Sequence, residues 1–476
     1  MILGQKQKMT GRQSNPTAQR LRRFLSRHLS LLSFLAASLA LRIFIFLHIT
    51  PRIHTDSVTY LILSDLKTVR TPGYPFFIEF VQFFNDLFSL TPRSIWLIVF
   101  FQLFLLGPIN CYLIYRLSRS VTRSRGFAWA MGVLYHLNFF VIGFEFIILT
   151  ETLTFTLLGL TILFFIRIFQ GSRSAAVPAG IFSVWLVLTR PTFLAFFLVL
   201  FGLGSIVYFR AVFKAGRIRG PLNSLFVFIL INLAGIGAWS WRNEVRYDYF
   251  GISSLLPFQL SYYTREFCDQ YQMGSDPRLD RFAAILIQEK GQPFNFAERL
   301  EALGVPPAEV SRILLQINLR LIKENFGDYL RLVPGAAADY FACSWAWTEG
   351  RAEGLFMASP ALAHVWTLFL KGSGEIFGRP LGWLIVVLII PAALIVLRRK
   401  TKDVLLLLCL LEGAVIYNTL ISILLTNADV NNMRFRLPVE PFIWLLAGAA
   451  VFAAAKSLVV RLRGVRRRFS MRPRTR

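Results

Sequence analysis

The sequence predicts an all-α polytopic membrane protein with about ten transmembrane helices. Apolar runs of about twenty residues recur along the 476-residue chain, the length that crosses a hydrocarbon core of roughly 30 Å. Hydrophobic residues make up 55% of the chain and charged residues only 16%, against roughly 25% charged in an average soluble protein. Mean hydropathy is +0.55, and the 46 phenylalanines suit a surface that faces acyl chains.

Residues 1–28 form a basic tail carrying Lys6, Lys8, Arg12, Arg20, Arg22, Arg23 and Arg27. The first apolar run, about 29–49, contains Arg42 and is followed by no small-residue cleavage site. It therefore reads as a retained helix rather than a cleaved signal. Further spans read at about 95–115, 127–148, 152–170, 175–189, 192–209, 222–240, 381–397, 403–425 and 438–456. Arg190 and Pro191 interrupt the pair over 175–209, and Trp96, Trp239, Trp241, Trp383 and Trp444 stand near span ends, as interfacial residues do.

The basic residues orient these spans. With the N-terminus in the cytoplasm, thirty Lys and Arg fall on that side and seven on the short opposite loops. This asymmetry satisfies the positive-inside rule. It also removes nucleic acid as the partner that a net charge of +26 would suggest in a soluble protein. The resulting organisation is a transmembrane core over 29–240 with a first outer loop at 50–94, an extracytoplasmic segment over 241–380, C-terminal spans over 381–456 and a basic tail over 457–476.

Within the outer segment, Val310, Ile313, Leu314, Ile317 and Leu321 recur at helical spacing and predict an amphipathic helix. A second candidate helix runs from Tyr329 to about Ser344. A third, Leu362 to Leu370, is too short to span and reads as interfacial. Cys268 and Cys343 lie in this segment and could pair in an oxidising compartment, although no framework spacing supports a bridge; Cys111 and Cys409 fall inside spans. No internal repeat is evident, which counts against a repeat-built transporter.

Polar residues at the outer span ends are the candidate functional set. The first outer loop opens His54-Thr55-Asp56-Ser57-Val58-Thr59-Tyr60 and continues to Arg70-Thr71-Pro72-Gly73-Tyr74-Pro75. Thr150-Glu151-Thr152 and Arg190-Pro191 form the next two outer turns. The seventh span exits through Trp239-Ser240-Trp241-Arg242-Asn243, and the last outer loop reads Asn431-Asn432-Met433-Arg434-Phe435-Arg436-Leu437-Pro438. Taken singly, each reads as a solvated boundary residue, a headgroup anchor or a tight turn. Five such ends on one side describe a site, because polar groups at a membrane boundary are costly unless they face a cavity or a partner. Acids and arginines on one face suit an anionic headgroup with a nucleophile activated beside it.

These patches resemble the GT-C superfamily of glycosyltransferases, in the branch of protein O-mannosyltransferases and lipid A aminoarabinose transferases. The last-loop stretch Arg434–Phe442 is the most specific part of the likeness and Arg190-Pro191 the least. Leu319–Leu332 also resembles a helix of that family, which usually has Pro where Phe326 stands. One departure is that Asp56 is followed by Ser57, where many relatives carry a second acid. That weakens a metal held there by paired carboxylates. No cofactor is demanded, and a divalent metal stays an open option.

The resemblance implies a GT-C fold in the bacterial plasma membrane. It implies transfer of a sugar from a polyprenyl-phosphate donor to a glycolipid, lipid-linked glycan or protein hydroxyl at the extracytoplasmic face. Asp56 is then the expected general base, with Glu151 placing the acceptor or a cation. Arg434 and Arg436, then Arg190 and Arg242, then Arg70, are the expected phosphate ligands, since guanidinium matches phosphate bidentately. Tyr60, Tyr74, Trp241 and Asn243 are the expected pocket lining. A transporter or lipid flippase is the main alternative, and a non-catalytic envelope scaffold a third.

Overall fold

The computed structural model describes residues 32–44, 46–47, 60–61, 71–88, 95–199, 219–274, 276–341, 402–425, 435–436 and 438–470, with isolated positions at 29, 53, 57, 202 and 206. The predicted span 381–397, eight residues of that at 192–209 (200, 201, 203–205 and 207–209), the candidate helix 362–370, Cys343, Asp56, Arg70 and Arg434 lie outside them. Helix accounts for 88% of the structure and no strand occurs among the described residues, so the chain is all-α there.

Five helices are long and apolar enough to cross a membrane, the make-up of an integral membrane protein. They are the long helix α3 (Ile95–Thr122), α6 (Glu151–Phe169), the apolar part Asn223–Tyr247 of α8 (Arg219–Tyr247), Val404–Leu425 of α14 (Lys402–Leu425) and Glu440–Val459 of α15 (Glu440–Ser470). They coincide with predicted spans at 95–115, 152–170, 222–240, 403–425 and 438–456. In such apolar stretches the helix satisfies its own amides and carbonyls, which no lipid can do.

Two other predicted spans hold helices within their bounds, and a third is broken. Helix α1 (Leu32–Phe44) lies in the span predicted at 29–49, where Leu29, Phe46 and Leu47 are helical too. Helix α7 (Ala176–Thr189) fills the span predicted at 175–189 and continues from a 3-10 turn at Arg173–Ala175. The span predicted at 127–148 divides into α4 (Arg125–Leu137) and α5 (Phe139–Glu145). Asn138 causes the break: it leaves helical geometry at φ −81° and ψ 82°, and its Oδ1 accepts from Val141 N as a fresh N-cap.

In the bundle, α6 packs on α7, α7 on α8, and α3 on α4 and α6. Exposed Phe226, Leu230 and Leu233 on α8 and Val451 on α15 give the bundle an apolar outer surface, suited to acyl chains. Amphipathic helix α2 (Gly73–Phe88) lies beside α3 and α7 and leaves Phe76, Phe80, Phe83 and Leu87 exposed.

Inside α3, Gln102–Leu106 forms a π turn just before Gly107-Pro108. Proline has no amide to donate and crowds the preceding turn, so the ladder slips there. Gly107 is required for a different reason. A Cβ at this position would sit 2.2 Å from Nε of Arg42, so only glycine admits the guanidinium.

A second hydrophobic core is built mainly by five helices, α9 (Leu255–Thr264), α10 (Pro277–Gln288), α11 (Pro293–Ala302), α12 (Pro307–Glu324) and α13 (Phe326–Phe341), with Phe267, Cys268 and Tyr271 after α9 and Ile423 joining it. The predicted amphipathic face is its centre: Val310, Ile313, Leu314, Ile317 and Leu321 of α12 are all buried. Asn318 ties α12 to α9 through Pro257 O at 2.7 Å and Ser261 Oγ at 2.9 Å. Burial pushes the Cys268 thiol up, and the cysteine is free.

This helical unit docks on one end of the bundle. Tyr263 and Tyr329 donate their hydroxyls to the final carbonyls of α14, Ile423 O and Leu424 O. Those carbonyls have no partner within their own helix. Asn418 and Thr419 donate to the Tyr340 hydroxyl, and Asn418 also donates to Phe435 O at 2.7 Å.

Candidate active site at one end of the bundle

The ends of α6 and α7 meet beneath the docked helices. Glu151 opens α6, where the partial positive charge of the helix N-terminus favours a carboxylate. Arg190 ends α7 in extended geometry, φ −137° and ψ 104°, because the following Pro191 disfavours a helical residue before it. This turn swings the guanidinium back across the bundle. Arg190 Nη2 lies 2.5 Å from Glu151 Oε1, and Nε donates to Thr150 Oγ1 at 3.1 Å. The guanidinium also lies over the Phe435 ring, 5.5 Å from its centroid.

These residues form one corner of a cavity of about 410 Å³. Its polar rim comes from Tyr60, Thr71, Thr150, Ser253 and Gln259; its apolar walls include Leu194, Leu256, Ile421 and Phe435. Glu151 is only 3% exposed, and its Oε2 is buried with no hydrogen-bond partner. A bare carboxylate oxygen in such a place is costly unless a ligand donates to it. The corner of the cavity thus holds a carboxylate with one oxygen unpartnered, beside an arginine whose charge is already balanced.

The first loop reaches the cavity through two anchors. Gly73 O accepts from Trp185 Nε1 at 2.8 Å, and Thr71 Oγ1 donates to Thr189 O at 3.4 Å. Gly73 is obligatory, since a Cβ would sit 2.4 Å from Thr189 Oγ1 and 2.5 Å from Thr189 N. Tyr74 is fully buried behind the rim, donates to Gln102 Oε1 at 2.5 Å and packs edge-on against Tyr60 at 5.2 Å. Ser57 donates to Ile148 O at 2.7 Å, so the residue after Asp56 is tied to the segment leading into Glu151.

Of the predicted set, Glu151, Arg190 and Tyr60 line one cavity, and Tyr74 supports it. Arg436 does not line it: Arg436 is 3% exposed, pairs with Glu440 at 2.6 Å and donates to Tyr340 O at 3.0 Å. Arg242 is stacked on Trp239 at 4.4 Å and on Tyr247 at 5.3 Å, and donates to Asn243 Oδ1. Trp241 is 64% exposed and does not line the pocket. Two residues along a helix turn a side chain by roughly 200°, so Trp239 faces inward and Trp241 outward. Asn243 acts one step back, donating to Gly251 O at 2.7 Å, while Trp239 donates to Ile252 O at 3.2 Å. Together they fix the turn that supplies Ile252 and Ser253 to the wall.

Sequence reasoning overlooked Gln259 and Tyr417, which line the cavity, and the partner of Arg42. Arg42 reads in the sequence as an interruption of an apolar run. In the fold it forms a fully buried pair with Glu145 at 2.8 Å. The signal was two ionisable residues within apolar stretches, which are rarely left unpaired. Among the described residues no three His, Cys, Asp or Glu side chains gather as a metal site. The chain matches no protein-family model and no curated protein sequence.

Proposed function

We propose that the protein is a membrane glycosyltransferase. It moves a sugar from a polyprenyl-phosphate donor to a hydroxyl acceptor at the extracytoplasmic face, with inversion at the anomeric carbon. The observation that carries this reading is the cavity at the Glu151–Arg190 corner, with its apolar walls and the unpartnered Glu151 Oε2. Its volume of about 410 Å³ suits a small-molecule site of roughly 300–1,000 Å³. The sidedness rests on the distribution of Lys and Arg along the chain.

In this reading the acceptor oxygen bonds to the anomeric carbon as the bond from that carbon to the phosphate oxygen breaks. Asp56 takes the acceptor proton, and the electron pair leaves on the phosphate. Glu151 Oε2 accepts a hydrogen bond from a hydroxyl in the cavity and holds that group for attack. Arg190 and Arg436 already have carboxylate partners. The phosphate role therefore passes chiefly to Arg434 and Arg70, which stabilise the charge that develops on the leaving group. Arg190 then acts by holding Glu151.

Transport or lipid flipping is the second reading, favoured by Glu412. This carboxyl is buried midway along α14 with Oε1 unpartnered, the kind of intramembrane acid that marks transport pathways. Purified protein in nanodiscs, given polyprenyl-phosphate sugars and hydroxyl acceptors, separates the two. A transferase releases polyprenyl phosphate in step with glycosylated acceptor. A transporter moves the lipid and leaves it intact.

A further inference from the structure

The segment 146–150 between α5 and α6 is non-helical, and all five of its residues are buried. Such backbone inside an apolar bundle needs partners from other elements. Side chains supply them. Gln102 Nε2 donates to Glu145 O at 2.9 Å and Ile147 O at 3.0 Å, and Ser57 Oγ donates to Ile148 O at 2.7 Å. One end of the segment is the cavity corner, Thr150 and Glu151. The other end is Glu145.

Glu145 is held by a fork from another helix. Arg42 Nη2 donates to Oε1 at 2.8 Å and Arg42 Nε to Oε2 at 3.0 Å. Tyr135 donates to Oε1 at 3.0 Å, and Arg42 Nη1 donates to Ser38 Oγ at 2.6 Å. His136 Nδ1 lies 3.3 Å from Nη1, and His136 Nε2 lies 3.4 Å from Cys111 Sγ. Both charged side chains are 0% exposed. A buried pair of this kind is poor evidence of stabilisation, because well-packed apolar residues often replace one with no loss. What a bidentate fork supplies is a fixed position.

We propose that Arg42 and Glu145 are a positioning pair. They set the place of segment 146–150, and through it the alignment of Glu151 with the first loop, which the same segment anchors at Ser57. The kinetic consequence rests on the transferase reading; the positional one does not.

The test compares the full-length protein in nanodiscs with Glu145→Gln and with the apolar double variant Arg42→Met/Glu145→Leu. The double variant removes both charges, so it covers the case in which the single change leaves Arg42 unpaired and fails to fold. One readout is the rate at which a small aqueous maleimide modifies a Leu149→Cys probe, corrected for the same protein without the probe. Leu149 is 1% exposed at the cavity wall. The expected result is a rise of about tenfold or more in the folded variants, the opening of a segment that has lost its anchor. An unchanged rate overturns the proposal.

The second readout is transfer per folded molecule. Positioning predicts kcat lowered about tenfold or more with donor KM within about twofold, the pattern of an interaction used in the transition state. A purely structural role would lower the folded amount while leaving kcat of the folded fraction unchanged, and that result also overturns the proposal. If the wild type transfers no sugar, the transferase reading fails by itself and the maleimide rates decide the pair.

Discussion

Arg190 and Glu151 stand 39 residues apart in sequence, yet their side chains meet at 2.5 Å at the corner of the cavity. The pair explains why the Arg190-Pro191 turn and the Thr150-Glu151 turn occur in one chain. Proline forces the arginine off its helix, and the helix N-terminus holds the acid it reaches. Glu151→Gln keeps the shape and removes the charge. In the transferase reading it should lower kcat/KM about tenfold to a hundredfold, the scale of one lost charge-assisted hydrogen bond of about 1.5–3 kcal/mol. Arg190→Ala should instead cost about 3–5 kcal/mol of stability, because it leaves a buried carboxylate unpaired. Thermal unfolding in detergent, read beside turnover, distinguishes the two effects.

Gly107 gives a sharper structural prediction. Its missing Cβ is the space that Arg42 Nε occupies, 2.2 Å away. Gly107→Ala should destabilise the docking of α1 on α3 by about 1–3 kcal/mol, as overpacking does. The check is the same thermal unfolding measurement, and a wild-type midpoint would remove the close approach from the account.

Asn243 and Trp241 should behave oppositely, although both lie near the end of one helix. Asn243→Ala frees the turn at Gly251 and Ile252 and should raise donor KM several-fold, a loss of about 1 kcal/mol. Trp241→Ala removes an exposed ring and should leave KM within about twofold, as surface changes do. Steady-state kinetics on the two variants test this directly.

Acid should loosen the docked helical unit through Asp280. Gly274 N donates to its Oδ2 at 2.6 Å, Tyr271 donates to Oδ1 at 3.1 Å and Arg320 Nη1 lies 3.4 Å away. The backbone bond from Gly274, with help from Tyr271 and Arg320, holds the carboxyl below the usual aspartate range. A folded pKa below the unfolded one means stability that is present above the unfolded value, about 3.9, and lost as pH falls through the folded value. Asp280→Asn should therefore flatten the acid dependence of hydrogen exchange in 277–324 below about pH 4. An identical acid profile in wild type and variant would remove Asp280 as a source.

Local signals in the sequence carried much of the fold. Apolar runs fixed where α3, α6, α8, α14 and α15 lie, and a 3.6-residue period marked the buried face of α12. Arg190-Pro191 was legible as a turn because proline acts on its own neighbour. The pairing of Arg190 with Glu151 was not, since no local period reports contacts 39 residues apart. Arg42 and Glu145 lie 103 residues apart and escaped for the same reason. Trp239 and Trp241 were indistinguishable in one dimension; only the phase of α8 decides which ring faces the turn. Asn138 was hidden inside an apolar run, where one side-chain cap outweighed the hydropathy that suggested a continuous span.

The most direct test of the central claim is release of polyprenyl phosphate by the purified protein in nanodiscs, with wild type and Asp56→Asn side by side. A hydroxyl acceptor and a panel of polyprenyl-phosphate sugars complete the reaction. Release matched by glycosylated acceptor is the expected result in the wild type. Folded Asp56→Asn should turn over about 10²–10⁴-fold more slowly, the contribution of a general base. A wild type that turns over no donor, or Asp56→Asn turning over at the wild-type rate, would contradict the central claim.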